Sequence, residues 1–284
     1  MFRALNVVKR FGPTVALDGV SVEFGSGLNL LLDPNGSGKS TLLKLWCGLI
    51  RPARGRVEVF GLDPWARRVD VMRRVSAFFE DVPAPWWLSG EEFLRVVAGK
   101  RGVSWSTVKE YAERLGVTGY WRKLIRGYSC GMRKKVMLLA TLVADVNGYI
   151  LDESHTLLDK DSIRVVDEII TEKVRSGRIV VVATHILTGV ERLAKGFAIL
   201  HNGRVVARYP GEAVEVPTVV ECSSRDASRI VEEAQKLNPS KIVVSQSAIY
   251  MHTTSTQQAS SFVERFGCVA YPDIATMYSE VVKV

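Results

Sequence analysis

The spacing of hydrophobic positions changes several times along the 284-residue chain. Ala4 to Val8 and Val20 to Phe24 read as two short strands of an antiparallel start, the second closed by Gly25-Ser26-Gly27. Leu28 to Leu32 is an apolar run of strand length. It meets a tight polar turn and continues into a helical pattern carrying Leu42, Leu43, Leu45 and Trp46. Gly48 ends that helix, and Arg54-Gly55-Arg56 leads into a strand at Val57 to Phe60. Val75 to Phe79 is a further strand, followed by the proline-punctuated loop Glu80-Asp81-Val82-Pro83-Ala84-Pro85-Trp86-Trp87.

Residues 89–145 switch to helical periods. Ser89-Gly90-Glu91-Glu92 forms a capping box ahead of Phe93, Leu94, Val96 and Val97. Val108, Tyr111, Ala112 and Leu115 fall at i, i+3, i+4, i+7, and a third helix is predicted from about Met132 to Ala144. Strand patterning resumes at Gly148 to Asp152 and, after an amphipathic helix marked by Ile163, Val166, Ile169, Ile170 and Val174, at Ile179 to Ala183. Asn202-Gly203 between Phe197 to Leu200 and Arg204 to Ala207 signals a type I′ hairpin. From Pro217 the order is strand (Thr218 to Cys222), helix (Ala227 to Leu237), two strands (Lys241 to Ser245, Ile249 to Thr253) and helix (Gln257 to Phe266). The Ser/Thr/Gln-rich stretch Thr253 to Ser261 is read as a turn.

Composition bounds the class. An apolar fraction of 47% supports a packed core. No apolar run reaches the roughly 18 residues that a membrane span needs, and the first residues lack a signal-peptide pattern, so a soluble, cytoplasmic chain is expected. The net charge is +8. Six basic and seven acidic residues fall in 217–284, so the positive excess lies in the first 216 residues. That favours nucleotide, an anionic membrane surface or nucleic acid as neighbours. Arg133-Lys134-Lys135 and similar small clusters read mainly as solvated surface. Cys47, Cys130, Cys222 and Cys268 show no metal-ligand spacing and are expected to be buried or incidental thiols.

The turn after Leu32 carries the clearest chemistry. Asp33-Pro34-Asn35-Gly36-Ser37-Gly38-Lys39-Ser40-Thr41 joins a strand to a helix. Gly36 and Gly38 let the backbone N–H groups turn inward, and with the positive end of the helix they make an anion cradle. In such a loop Lys39 reaches β- and γ-phosphates and Ser40 places a hydroxyl on Mg²⁺. Asp33 stands where the pattern Gly-x-x-x-x-Gly-Lys-Ser begins with glycine. Its carboxylate is expected to weaken nucleotide binding relative to glycine. A second signal is the strand ending in Asp152-Glu153, which places two carboxylates at the carboxyl edge of a sheet, where ligands of open α/β sheets sit. Ser129 at a helix start supplies a further hydroxyl and backbone donors. Phe11 reads either as a core residue or as a ring that stacks on adenine. Trp86 and Trp87 read either as an exposed interface or as packing inside the chain.

These motifs occur in the order of a known family, and residues 1–210 resemble the nucleotide-binding subunit of ATP-binding-cassette (ABC) transporters. Tyr128-Ser129-Cys130-Gly131-Met132 resembles the family signature Leu-Ser-Gly-Gly-Gln at Ser129 and Gly131 only. Ile150-Leu151-Asp152-Glu153 resembles the second nucleotide motif, Leu157-Leu158-Asp159 the loop that crosses to a partner subunit, and Val182-Ala183-Thr184-His185 the switch histidine.

The resemblance implies an α/β fold: a P-loop NTPase core with an antiparallel β subdomain, a helical insert (about 89–145) and a small C-terminal α+β appendage. The division is 1–212 for the ATP-binding domain and 217–284 for a unit of unassigned role. It also implies an ATPase using ATP and Mg²⁺. Glu153, His185 and Lys39 would be catalytic, and Ser40, Asp152 and Glu80 would hold the metal. Glu80 stands at a glutamine position, so a solvated carboxylate is the other reading. Phe11, Asn35, Gly36, Ser37, Gly38, Lys39, Ser40 and Thr41 would bind nucleotide, and Ser129 and Gly131 would cap the γ-phosphate held by a second copy. The expected partners are a membrane-spanning permease subunit, with the chain peripheral on the inner face of the membrane, and a homodimer or heterodimer of cassettes. Two other readings stand beside this one: a soluble ATPase of this type acting on nucleic acid or ribosomes, and a degenerate cassette acting as a regulatory module.

Overall fold

A computed structural model describes residues 1–32, 36–209, 218–223, 227–237, 239–245, 248–266 and 268–282. Strand β1 (Phe2–Phe11) pairs antiparallel with β2 (Thr14–Phe24) on one edge. A later strand, β4 (Arg54–Val59), pairs with its other edge to close a three-stranded sheet. Phe2 and Ala4 from β1 and Val20, Val22 and Phe24 from β2 are buried in the period-2 pattern of a sheet with one covered face, and a register shift at Asn6 (φ +48) returns Val7 to that face.

Between them runs β3 (Gly27–Leu32), buried along its whole length, which feeds helix α1 (Lys39–Trp46). Trp46 locks α1 to the antiparallel sheet: its ring meets Phe2 edge-on at 5.6 Å and its Nε1–H donates to the Arg3 carbonyl at 3.0 Å. Gly48 then turns the chain at φ +63, and a Cβ there would stand 2.0 Å from the Pro64 carbonyl oxygen. Only glycine fits this stop.

Helix α2 (Arg68–Arg74) leads to β5 (Val75–Phe78). The helical region holds α3 (Gly90–Arg101), α4 (Trp105–Arg114) and α5 (Cys130–Leu142). The capping box at Ser89 and Glu92 is formed in both directions. Strand β6 (Gly148–Asp152), helix α6 (Lys160–Arg175), strand β7 (Ile179–Thr184) and the hairpin β8 (Ala194–His201)–β9 (Arg204–Tyr209) complete the first unit. Asn202 and Gly203 both take positive φ, +48 and +76, as the type I′ turn requires.

The six-stranded sheet runs β5-β6-β7-β3-β8-β9, parallel except for the last pair. Its strands are hydrophobic at nearly every position because both faces are covered. Leu30, Leu32, Tyr149, Leu151 and Val182 pack on the side of α3 to α6, while Leu31, Ile150, Val181 and Ala183 pack on the side of α1 and the antiparallel sheet. Asn29, the polar interruption in β3, is satisfied by donating from Nδ2 to the Gly25 and Gly27 carbonyls.

The C-terminal unit contains β10 (Thr218–Ser223), α7 (Ala227–Lys236), β11 (Lys241–Val244), β12 (Ala248–Thr253), α8 (Thr256–Phe266) and β13 (Val269–Pro272). The sheet order β11-β12-β10-β13 makes it a split βαβ sandwich of ferredoxin-like topology. A final helix, α9 (Ile274–Val282), sends Ile274 into the core of the first unit.

Three expectations are corrected here. The turn read over Thr253 to Ser261 stops at Ser255, because α8 begins at Thr256, one residue ahead of the helix expected from Gln257 to Phe266. Strand β13 and helix α9 follow where no element was expected. Cys222 and Cys268 are not free thiols but form a disulfide. Glu221 pairs with Val269 across β10 and β13, so Cys222 and Cys268 face each other at the next position with Cα atoms 4.5 Å apart.

Candidate functional site

Strands β3, β7 and β6 lie side by side and parallel, with Leu32 level with Thr184 and Ala183 level with Asp152. Everything that follows these strand ends therefore meets at one edge of the sheet. After β3 comes the glycine turn, where Gly36 and Gly38 have φ of +97 and +108. A Cβ on Gly38 would lie 2.5 Å from the Ala16 carbonyl oxygen and 2.7 Å from Leu17 Cδ2. Helix α1 begins directly at Lys39 with Gly38 as its N-cap, so the donors of its first turn open onto this edge. Ser37 is buried, and Ser40 and Thr41 are half-buried. Asp33 and Asn35 lie outside the described residues.

The three residues expected to be catalytic come together. Glu153 Oε1 is 3.2 Å from Lys39 Nζ, an ion-pair contact without hydrogen-bond alignment. His185 Nδ1 is 2.9 Å from Glu153 Oε2 and donates to it when the carboxylate is ionised. Glu153 itself is held at φ +50, a left-handed conformation uncommon for a side-chain-bearing residue. Its N–H donates to the Ala183 carbonyl at 2.8 Å.

Asp152 is 3% exposed. Burial pushes its carboxyl up to about 6, against the pull of a hydrogen bond with Ser40 and of the Lys39 charge. Its Oδ1 is buried with no hydrogen-bond partner among the described residues. A desolvated carboxylate with an orphaned oxygen beside a serine hydroxyl is an oxygen donor set suited to a hard divalent cation.

The remaining expected residues are placed as follows. Ser129 caps α5, its hydroxyl accepting from Met132 N at 3.2 Å, and it is exposed. Gly131 packs close to the loop after β6, since a Cβ there would be 3.2 Å from the Leu157 carbonyl oxygen. Phe11 is exposed at the end of β1 with Lys9 Nζ 5.0 Å above its ring, so it is not a core residue. Trp86 and Trp87 are 58% and 61% exposed and meet edge to face. Asp159 caps α6 by accepting from Ser162 N at 2.8 Å, and a hydrogen bond from Lys135 holds its carboxyl well below the usual carboxylate range.

Glu80 is neutralised by protein groups and not by the Ser40–Asp152 pair. Its Oε1 accepts from Thr156 Oγ1 at 2.8 Å and from Lys134 Nζ at 3.3 Å. Lys134 was not foreseen. It is 6% exposed, not part of a solvated cluster, and burial pushes its ammonium down against the opposing pull of Glu80. A second unforeseen network lies on the other side of the loop. Ser154 Oγ contacts His155 Nδ1, His155 Nε2 contacts Asp167 Oδ1 at 2.8 Å, and Thr188 donates to Asp167 Oδ2. A buried lysine inside a three-residue basic run gives no sequence signal. The only available hint was that Lys134 falls four residues before Leu138, on the apolar face of α5.

The family model described as ABC transporter matches residues 17–156. The daunorubicin/doxorubicin resistance ATP-binding protein DrrA of Streptomyces peucetius is 33% identical over 206 residues, covering 71% of this chain. The matched stretch spans 62% of that protein's length. The daunorubicin resistance ATP-binding protein DrrA3 of Streptomyces coeruleorubidus is 30% identical over 216 residues, covering 74% of this chain and 68% of that protein. Among solved structures, that of an ATP binding subunit of an ABC transporter superposes with a TM-score of 0.67 at 27% identity. It covers 73% of this chain and 89% of that one.

Proposed function

Because the chain belongs to the ABC transporter family, among the ATP-binding subunits that hydrolyse ATP, we propose that it drives a separate membrane-spanning permease from the site at the ends of β3, β6 and β7. The observation that carries this reading is the Lys39–Glu153–His185 cluster directly beneath the glycine turn.

In the nucleotide-free chain the Glu153 carboxylate is engaged by both Lys39 and His185. A triphosphate seated on the N–H groups at the start of α1 offers Lys39 a stronger anionic partner. Lys39 then turns to the β- and γ-phosphates and releases Glu153. The freed carboxylate orients the attacking water and accepts its proton, a contribution of about 10²–10⁴ in rate for a positioned general base. His185, already hydrogen-bonded to Glu153, is placed to report on the γ-phosphate. Ser40 and Asp152 would hold Mg²⁺, which would supply charge neutralisation to the phosphoryl group being transferred. Ser129 and Gly131 of a second copy would close over the phosphate.

The permease is inferred to contact the loop after Glu80, where Trp86 and Trp87 stand exposed. Among the described residues no helix is long and apolar enough to cross a membrane. The site predicts that Glu153→Gln lowers kcat for ATP hydrolysis at least 100-fold in the purified chain while nucleotide affinity stays within threefold. A variant that still hydrolyses within tenfold of wild type, or a wild-type chain that takes up no ATP at millimolar concentration, overturns the reading.

A further inference from the structure

Lys134 sits on α5, five residues beyond Ser129, and its ammonium has three N–H groups and no acceptor capacity. All three have partners: the Glu153 carbonyl at 2.6 Å, Glu80 Oε1 at 3.3 Å and the Thr156 hydroxyl. Thr156 Oγ1 lies 2.8 Å from Glu80 Oε1 and 2.9 Å from the Glu153 carbonyl. One lysine thus joins the signature helix, the loop that carries Glu80 ahead of Trp86 and Trp87, and the main chain of Glu153.

The attachment to Glu153 matters because of that residue's backbone. A non-glycine residue at φ +50 persists only where its surroundings over-determine it. The N–H end is fixed by Ala183. The C=O end is fixed by Lys134 and Thr156 alone among the contacts just described. Without them the peptide after Glu153 can rotate toward an ordinary conformation, and the carboxylate swings away from His185 and Lys39. The Glu80 charge is the counterweight that lets an ammonium remain buried at this point.

We propose that Lys134 is a positioning residue for ATP hydrolysis, holding the strained main chain of Glu153 through its carbonyl, with Glu80 as its counter-charge. The inference rests on the reading of Glu153 as the residue that positions the attacking water. It also gives Glu80 a task distinct from metal ligation: when a partner moves the loop that carries Glu80, the ion pair moves the tie on Glu153.

The test compares two near-isosteric neutral variants of the full chain. Lys134→Gln keeps an N–H donor for the carbonyl and Lys134→Met does not, while both lose the charge. The expected result is that Lys134→Met lowers kcat at least tenfold and Lys134→Gln retains a third or more of the wild-type kcat. The affinity for a fluorescent ATP analogue changes by less than threefold in both. Equal kcat in the two variants, whether high or low, overturns the proposal. So does a loss of affinity that parallels the loss of kcat. If Lys134→Met does not unfold cooperatively, Lys134→Leu takes its place against Lys134→Gln, judged by the same outcomes. Thr156→Val would not serve, because it would also remove the Thr156 contact with the Glu153 carbonyl. An inactive wild-type chain in the same assay would refute the ATPase reading itself, separately from the role of Lys134.

Discussion

Replacing Asp152 by asparagine should stabilise the nucleotide-free protein, with a gain that grows from about pH 3.8 and is complete above about pH 6. The carboxyl ionises near 3.8 in the unfolded chain and near 6 in the folded one, because burial removes it from water. Folding therefore favours its protonated form. Its contribution is harmless below pH 3.8, and stability is progressively lost as the pH rises through the window from 3.8 to 6. A displacement of that size is worth about 3 kcal/mol as a ceiling. The amide of Asp152→Asn can keep the Ser40 hydrogen bond and never carries the buried charge. At pH 7.5 in chelator, the variant should be more stable by about 1–3 kcal/mol, or roughly 3–10 °C in melting temperature. At pH 4.5, early in that window, the gain should fall to about a third of its value at pH 7.5. Mg²⁺ with ATP should reverse the order at pH 7.5, stabilising wild type by mass action and the variant much less. Scanning calorimetry at the two pH values, with and without Mg²⁺–ATP, reads all three. A variant no more stable than wild type at pH 7.5, or one whose gain is the same at pH 4.5, would refute the claim that ionisation of Asp152 strains the free site.

Two further predictions concern surfaces away from the phosphates. Trp86→Ala combined with Trp87→Ala should reduce retention of the chain on its detergent-solubilised permease at least tenfold, since large aromatic anchors at an interface carry about 2 kcal/mol or more each; retention equal to wild type removes the pair from the contact. Thiol titration of the unfolded, non-reduced chain should find two reactive groups, Cys47 and Cys130, and Cys222→Ser should destabilise the C-terminal unit by about 4 kcal/mol for a closed loop of 46 residues. Four titrating thiols, or a denaturation midpoint unmoved by the substitution, would show that the bridge does not form.

Local pattern carried the sequence reading wherever a residue's role depends on its near neighbours. The strand–turn–helix at Leu28 to Trp46, the capping box at Ser89 and the Asn202-Gly203 hairpin each follow from spacing within a few residues. The convergence of Lys39, Glu153 and His185 was legible for a less local reason. Asp152-Glu153 and Thr184-His185 end buried strands, and parallel strands that are neighbours bring their carboxyl ends together. The sequence was silent where a partner arrives from a distant element in a register that only the folded sheet defines. The disulfide depends on how β10 pairs with β13. Glu80 depends on a lysine 54 residues away, whose basic neighbours Arg133 and Lys135 disguise it as surface.

The same distinction explains how the free site can be stable at all. Four ionisable groups, Lys39, Asp152, Glu153 and His185, lie at one sheet edge, and three of them are nearly removed from water. Glu153 meets most of this by a hydrogen bond with His185 and an ion-pair contact with Lys39, so its carboxylate is occupied in the nucleotide-free chain. Asp152 has no such relief, which is why its proton is held so tightly and its Oδ1 left unpaired. Under the proposed reading bound nucleotide would draw Lys39 to its phosphates, and a divalent cation held by Ser40 and Asp152 would satisfy the second carboxylate. Binding energy is thereby directed to freeing the Glu153 side chain while its backbone stays fixed by Ala183, Lys134 and Thr156. A carboxylate that is released but not allowed to wander is the arrangement in which a single water can be aligned against a γ-phosphate.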